Sequence, residues 1–504
     1  MITASARGTE QDTSPTPPSQ SAEVGREKKG WPGDWRTIVA AVGFAGMMVV
    51  LLWAGFSHQV RPPRSGQWGD VYRYQCFAVA FWQGPQAMAA VNAMRPGQCS
   101  DLQRTYELDL EQVRSSDLLG GLGPWIADHT DMSGRFHTLP VEYPVLALVP
   151  FSLPLLAPPA DYPVAFGIEM TLLALGLFAL IVWRAGWRAA GFFALCMGIG
   201  AYATGIDRFD LLPAGLTLAA LLLAERKQWT WAYLALAGGA FLKYYPAALM
   251  LPLLVVQLRP SAVSLRERLR AVLKPLAAFV GACAGLLLLS LLINPIILYR
   301  QIATLSRRPL EVESIAATLV WVGSHLGFPM RAFVAFGSDN VESALAPVAT
   351  LLVALVALLA LATVVSGLWF RRTTLPQAWL AVLMVITIAG KVLSAQYLIW
   401  LLPIAALVVP LEGFAPLAWL AVCALTTFGF PFLWRSTHGG WHGIIALRNA
   451  AVLTLLAGLL PVAEWARWWQ TARATVFVRR WWSIKRLRAR LAAQRTPPPT
   501  LADT

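Results

Sequence analysis

Apolar runs long enough to cross a bilayer alternate with short polar breaks along most of the chain. The first run covers residues 37–56, about 20 residues, the length a helix needs to span a hydrocarbon core of roughly 30 Å. Further runs lie at 162–183, 189–206, 209–224, 229–244, 245–257, 276–293, 347–370, 376–390, 397–410, 414–434 and 444–462. Two long polar stretches interrupt them, 57–142 and 294–346. Connections of that length usually carry function, and helical patterning recurs inside the first, for example over 102–119. Residues 1–35 are rich in Ser, Thr and Pro and predict a disordered tail. The run 37–56 begins too late and continues too long for a signal peptide, so an uncleaved first helix is expected.

Residues 143–158 are ambiguous. They are apolar, but the segment is short and contains Pro144, Pro150, Pro154 and Pro158. Charge decides between the topologies. If 143–158 does not cross, Arg184/Arg188, Arg226/Lys227, the loop 258–274, Arg371/Arg372 and the C-terminal tail fall on one side, as the positive-inside rule prefers. That arrangement has about 12 crossings and both termini in the cytoplasm. Both large polar stretches then face the exterior, with 143–158 partly embedded at the outer surface.

The composition agrees: 57% of the 504 residues are apolar and 13% are charged, against about 25% charged in soluble domains. The expected fold class is an all-α polytopic membrane protein. A net charge of +14 would suggest nucleic acid in a soluble chain, but its distribution does not. The tail 463–504 holds 9 Lys/Arg against 2 acids, the loop 258–274 holds 5 against 1, and the outer stretch 58–161 holds 7 against 10. The excess is cytoplasmic and suits a bilayer with anionic headgroups, so no nucleic-acid partner is expected.

Ionisable groups at membrane depth are costly and need a reason. Asp70, Glu142, Asp207, Arg208, Asp210, Lys243 and Lys391 all fall at outer ends of apolar runs, and His325 lies in the second polar stretch. An outer-surface cavity would produce that pattern. Asp70 has the chemistry of a general base, or is a solvated loop residue. Asp207-Arg208-Phe209-Asp210 offers either helix capping with a local ion pair or an oxyanion-binding guanidinium. Lys243, before Tyr244-Tyr245-Pro246, either snorkels or binds an anion. Gln396, beside Tyr397 in an apolar segment, needs a partner, which helix–helix hydrogen bonding would supply.

No zinc spacing occurs among the 6 His and 5 Cys, and no Walker A loop, dinucleotide fingerprint or nucleophile elbow is present. Cys76 and Cys99 share the outer stretch and could pair as a disulfide. Cys196, Cys283 and Cys423 fall in apolar runs and read as packing residues. No internal repeat is apparent, which weakens an inverted-repeat transporter.

Taken together, five segments resemble the GT-C superfamily of integral-membrane glycosyltransferases, and within it glycosyltransferase family 87 (DUF2029). They are Gly69-Asp70-Val71-Tyr72; Glu142-Tyr143-Pro144-Val145-Leu146; Asp207-Arg208-Phe209-Asp210; Phe241-Leu242-Lys243-Tyr244-Tyr245-Pro246; and Ser394, Gln396, Tyr397, Trp400 and Pro403 in one run. Their order and spacing carry the resemblance, over about residues 37–462. It implies a GT-C domain over 36–462, with a large helical first extracytoplasmic loop at 57–161, a second large loop at 294–346 and a basic cytoplasmic tail at 463–504. It also implies an enzyme of the plasma membrane and cell envelope. That enzyme would transfer a hexose, most simply mannose, from a polyprenyl-phosphate sugar donor to a glycolipid or lipoglycan acceptor, with inversion. Asp70 would be the base, with His325 as a possible relay. Arg208, Lys243 and Lys391 would bind the donor phosphate, and Glu142, Tyr143, Asp207, Asp210, Gln396 and Tyr397 would line the substrate site. No cofactor is expected, and no metal is demanded, although Asp207 or Asp210 with Asp70 has the chemistry to hold Mg²⁺ or Mn²⁺. The family often shows a second proline where Tyr143-Pro144-Val145 stands here. The rival class is a polytopic lipid or solute transporter or flippase, which would use the same charges to pass a solute.

Overall fold

The computed structural model describes residues 35–60, 69–100, 110–117, 120–129, 134–259, 263–433 and 440–461. The expected tails, apart from Trp35, and most of the expected helix 102–119 lie outside the described residues.

Among the described residues, six stretches are helices long and apolar enough to cross a membrane. They are α1 (Trp35–Gln59), α6 (Tyr162–Ala185), α11 (Leu265–Ile293), α14 (Ala346–Trp369), α17 (Ala415–Thr427, continued by a π-helical turn to Phe432) and α18 (Gly440–Leu459). The remaining apolar runs form shorter helices: α7 (Trp187–Gly200), α8 (Leu211–Glu225), α9 (Trp229–Leu242), α10 (Met250–Leu258), α15 (Leu375–Ala389) and α16 (Tyr397–Val408). The chain is therefore a helical, multi-pass membrane protein.

Burial sorts the two groups. Of the 29 residues of α11 only four are buried, Val272, Pro275, Phe279 and Ser290. The 15-residue α15 buries ten, including Trp379 with no exposure. The long helices present apolar surface outward, as contact with lipid requires, and several short ones form the packed interior. At 1.5 Å per residue a helix of 14 residues reaches only about 21 Å, less than the roughly 30 Å core. The segment 201–210 between α7 and α8 is irregular and largely buried in protein.

Residues 143–158 form no helix of crossing length. They break into a 3₁₀ turn (Val145–Ala147), α5 (Leu148–Ser152) and a second 3₁₀ turn (Leu153–Leu156), punctuated by prolines. Most of the basic loop 258–274 is instead the start of α11. A reciprocal capping box opens that helix, in which Ser264 accepts from the Glu267 backbone N–H and the Glu267 side chain accepts from the Ser264 backbone.

The polar stretches hold short elements: α2 (Asp70–Gln83), α3 (Met88–Met94) and α4 (Leu122–His129) in the first, α12 (Ile297–Arg307) and α13 (Ile315–Ser324) in the second. A disulfide joins Cys76 of α2 to Cys99. Among the described residues the strands form a three-stranded antiparallel sheet of β1 (Leu310–Glu311), β2 (Arg331–Ala335) and β3 (Ser338–Glu342), in the order β1-β3-β2. Phe336 and Gly337 link β2 to β3 with φ of 53° and 69°, the double positive φ of a two-residue hairpin turn.

One close approach fixes the segment 201–210. A Cβ on Gly55 of α1 would fall 1.7 Å from the carbonyl oxygen of Tyr202, whereas one on Gly46 would meet nothing within 4 Å. Gly55→Ala should therefore force α1 away from this segment and destabilise the fold by about 1–3 kcal/mol, seen as a lower thermal midpoint in detergent. Gly46→Ala should leave the midpoint unchanged or slightly raised. Equal midpoints for the two variants would contradict the contact.

Candidate functional site

The charged residues converge where the short helices end. Asp70 and Arg73 lie on the first turn of α2, where the helix dipole favours the carboxylate. Glu142 and Tyr143 precede the proline-broken segment, Asp207, Arg208 and Asp210 lie in the irregular turn before α8, Lys243 ends α9, and Tyr397 and Trp400 open α16. These parts join in an alternating chain of charge. Arg73 donates to Glu142 at 2.9 Å and to Asp70 at 3.4 Å. Arg208 pairs through Nη1 with the other Asp70 oxygen, and its Nε lies 3.7 Å from Asp207.

A second pair adjoins the first. Lys243 Nζ donates to Asp210 Oδ1 at 2.6 Å, and the Trp400 indole N–H donates to the same oxygen. Asp210 opens α8 but makes no capping bond with its side chain, so its carboxylate serves the site and not the helix. Lys243 does not snorkel: its side chain is 13% exposed and turns inward among aromatic rings. The ring centroids of Trp400, Phe209, Tyr143 and Tyr397 lie 5.1, 5.2, 5.9 and 6.0 Å from Nζ, within the range of cation–π attraction. Trp400 is itself stacked between Tyr245 at 4.1 Å and Tyr397 at 3.9 Å.

The electrostatics separate the acids. Burial opposes the charge of Asp70, but Arg208, Arg73 and Lys243 together outweigh it and hold the carboxyl below its ordinary range. Burial dominates at Asp207 and pushes it up to about 8, against the pull of Arg208 and with a push from Asp70. Asp207 therefore carries a proton at neutral pH, and its Oδ1 is buried without a hydrogen-bond partner among the described residues. Arg73, Arg208 and Lys243 are matched in ion pairs by Asp70, Glu142 and Asp210. Such a site can take an anion by exchanging it for a carboxylate on Arg208 or Lys243, and Asp70 can accept a proton once its guanidinium partners loosen.

Of the residues singled out in the sequence, Asp70, Glu142, Tyr143, Asp207, Arg208, Asp210, Lys243 and Tyr397 are brought together. Three have their contacts elsewhere. His325 is exposed; its Nδ1 bonds the Trp321 carbonyl at 3.0 Å and its ring meets Trp321 edge-on. Lys391 is exposed and donates to the Arg308 carbonyl at 3.3 Å. Gln396 is buried and accepts from Ser394 at 3.4 Å. Arg73 and Trp400 belong to the site yet were not singled out. Arg73 stands three residues from Asp70, a spacing at which helical side chains meet, and Trp400 stands one turn after Tyr397.

A second buried cluster also escaped the sequence reading. Arg448, inside the apolar run of α18, bonds the Glu313 carbonyl at 2.6 Å, the Glu313 carboxylate at 3.3 Å and the Leu393 carbonyl at 3.2 Å. Asn449 adds bonds to the carbonyls of Glu313 and Ser314 and to the Thr318 hydroxyl. Glu311, beside this cluster, is pushed up to about 8 by burial and by Glu313. The rule that an ionisable group in an apolar run needs a reason applied equally to Arg448.

Among the described residues no set of three or more His, Cys, Asp or Glu is placed to hold a metal ion. Of the acids considered for one, Asp70 turns its two oxygens to Arg73 and Arg208 and Asp210 turns Oδ1 to Lys243 and Trp400, while Asp207 Oδ1 and Asp210 Oδ2 are buried with no partner among the described residues. Comparison of the chain with models of known families, with curated proteins and with solved structures finds no match.

The proton on Asp207 sets a pH dependence. In the unfolded chain the carboxyl loses its proton near pH 4, but in the fold only near about 8. Between those values the folded state binds the extra proton, so stability falls as pH rises across the window, by at most about 1.4 kcal/mol per unit. Glu311 acts in the same sense. Asp207→Asn should flatten the decline, giving thermal midpoints that change less between about pH 5 and pH 8. A slope unchanged from wild type would mean that Asp207 is ionised in the fold.

Proposed function

We propose that this chain is an integral-membrane glycosyltransferase of the GT-C type. It transfers a hexose, most simply mannose, from a polyprenyl-phosphate donor to a glycolipid or lipoglycan acceptor on the extracytoplasmic face of the plasma membrane, with about 12 crossings and both termini cytoplasmic. The observation that supports this reading best is the joining of Asp70, Arg208, Asp210 and Lys243 into one buried, aromatic-walled cluster at the ends of short helices. A lipid-borne donor needs no nucleotide-binding domain, and its phosphate needs cations within reach of the membrane.

In this reading the donor phosphate draws Arg208 and Lys243 to itself. Their charge stabilises the negative charge that grows on the leaving phosphate. In the resting site Arg208 and Arg73 keep Asp70 ionised but weakly basic. Withdrawal of Arg208 toward the phosphate strengthens Asp70 as a base at the moment the donor is in place. An acceptor hydroxyl then attacks the anomeric carbon. Its proton passes to Asp70, the new glycosidic C–O bond forms, and the bond from the anomeric carbon to the phosphate oxygen breaks. Polyprenyl phosphate leaves, and the single displacement inverts the anomeric configuration. Glu142, Tyr143, Asp210 and Tyr397 stand beside the reacting groups to bind substrate, and Gln396 adjoins Tyr397. His325 and Lys391, with contacts elsewhere, are given no step. Arg208 and Lys243 meet the phosphate charge, so the mechanism calls on no metal.

The test is transfer of labelled mannose from polyprenyl-phosphate mannose by the full chain reconstituted in vesicles. Asp70→Asn should lower turnover by about 10²–10⁴-fold with little change in donor KM, and Lys243→Ala should raise donor KM. Wild-type turnover by folded Asp70→Asn overturns the base assignment. A wild-type chain that transfers no sugar but moves the lipid-linked donor across the vesicle is a flippase, and the proposal fails.

A further inference from the structure

The helix α12 is amphipathic in the opposite sense to a helix on a water-soluble domain. Leu298, Ile302 and Leu305 form one row, at spacings of four and three residues, and are 38%, 57% and 55% exposed, whereas Arg300 is 1% exposed. Part of the polar flank faces protein: Gln301 donates to the Tyr143 carbonyl at 2.9 Å and to the Pro140 carbonyl at 3.4 Å, while the exposed Arg307 at the end of the helix donates to Gln112 at 2.5 Å. A helix that turns polar groups inward and an apolar row outward has a surrounding medium that is not water.

The position of α12 identifies that medium. The spanning-length α11 ends at Ile293, and α12 begins at Ile297. Asn294 makes the bend between them, in extended backbone, with its side chain bonded to the His137 carbonyl at 2.6 Å. The last turns of α11 expose Leu288, Leu289 and Leu292, so the outward apolar surface of the spanning helix continues into the α12 row. A helix of 11 residues is only about 16 Å long, and one row on it is far narrower than the roughly 800 Å² per partner of a stable protein interface.

We propose that α12 is an interfacial helix whose Leu298, Ile302 and Leu305 rest in the headgroup and acyl-chain boundary of the leaflet in which α11 ends. Its other flank holds the backbone on either side of Glu142 through Gln301, so the depth of α12 in the bilayer sets the position of Glu142 and Tyr143. This proposal is independent of the glycosyltransferase reading.

Single cysteines at Leu298→Cys, Ile302→Cys and Leu305→Cys, labelled with bimane, test it in the full chain in phosphatidylcholine nanodiscs. Cys283→Ser removes the half-buried free thiol; Cys196 and Cys423 are buried, and Cys76 and Cys99 are bonded to each other. Brominated phosphatidylcholine should remove most of the emission at all three positions and aqueous iodide little of it. A label at the exposed Glu342→Cys in β3 should show the reverse. Iodide quenching along the row overturns the proposal. So does protection from both quenchers, which would place protein, a second copy or another partner, on the row. Photoactivatable lipid gives a check without substitutions: in the wild-type chain its cross-links should map to peptides spanning 297–307, and their absence there counts against the proposal.

Discussion

Arg208 remains charged at any accessible pH, and only 19% of its side chain is exposed. A guanidinium so placed must meet carboxylate, and the arrangement around it follows from that need. Asp70 meets it from α2, Arg73 shares Asp70, and Glu142 in turn takes Arg73. One buried cation thereby ties together the first turn of α2, the entry to the proline-broken segment and the turn before α8. Buried ion pairs are weak stabilisers compared with apolar packing of equal volume, and the loss of one partner is severe. A chain with this much apolar surface could have filled the same space with Leu or Phe. That it places six charges there instead favours work on a charged ligand over a contribution to the fold.

Neutrality shapes what that work can be. Arg73, Arg208 and Lys243 face Asp70, Glu142 and Asp210 in ion pairs, and the carboxyl of the seventh group, Asp207, is pushed up to about 8 by burial. An anion that enters displaces a carboxylate from its cation, and the freed carboxylate becomes a stronger base. The aromatic rings around Lys243 sharpen this exchange, because the low dielectric they impose strengthens each remaining charge interaction. In the proposed function, anion binding and carboxylate basicity would be coupled by Arg208, which pairs with Asp70.

Much of this was legible in the sequence. The apolar runs located the helices because membrane burial requires continuous hydrophobicity. Asp70, Asp207, Arg208, Asp210 and Lys243 stood out because a charge at the end of such a run is expensive. What escaped notice did so for identifiable reasons. Trp400 stands in the sequence only as part of a resembling segment, with no role attached, until its N–H is seen to reach Asp210. Arg448 lies in mid-run, where no break in the pattern marks it, although its charge alone was a signal. The small sheet has strands of two to five residues, too short to show a period. Lys391 and His325 occupy the right part of the sequence, but Lys391 turns to the Arg308 carbonyl and His325 to its own helix. Side-chain direction at a loop or helix end is set by backbone dihedrals that spacing does not reveal.

Two of the ties between the second polar stretch and the helical body lead toward the charged cluster. Arg448 and Asn449 of α18 hold the backbone at Glu313 and Ser314, at the entry to α13. Burial opposes the charge on Glu313, while Arg448 and, after it, Arg208 favour it, so the field of the cluster extends to this tether. At the other tether Gln301 holds the backbone beside Glu142, which receives Arg73. A displacement of the outer elements therefore acts on Arg208 through Glu313 on one side and through Glu142, Arg73 and Asp70 on the other. The second polar stretch is thus held by backbone carbonyls against elements that carry, or adjoin, the charged cluster.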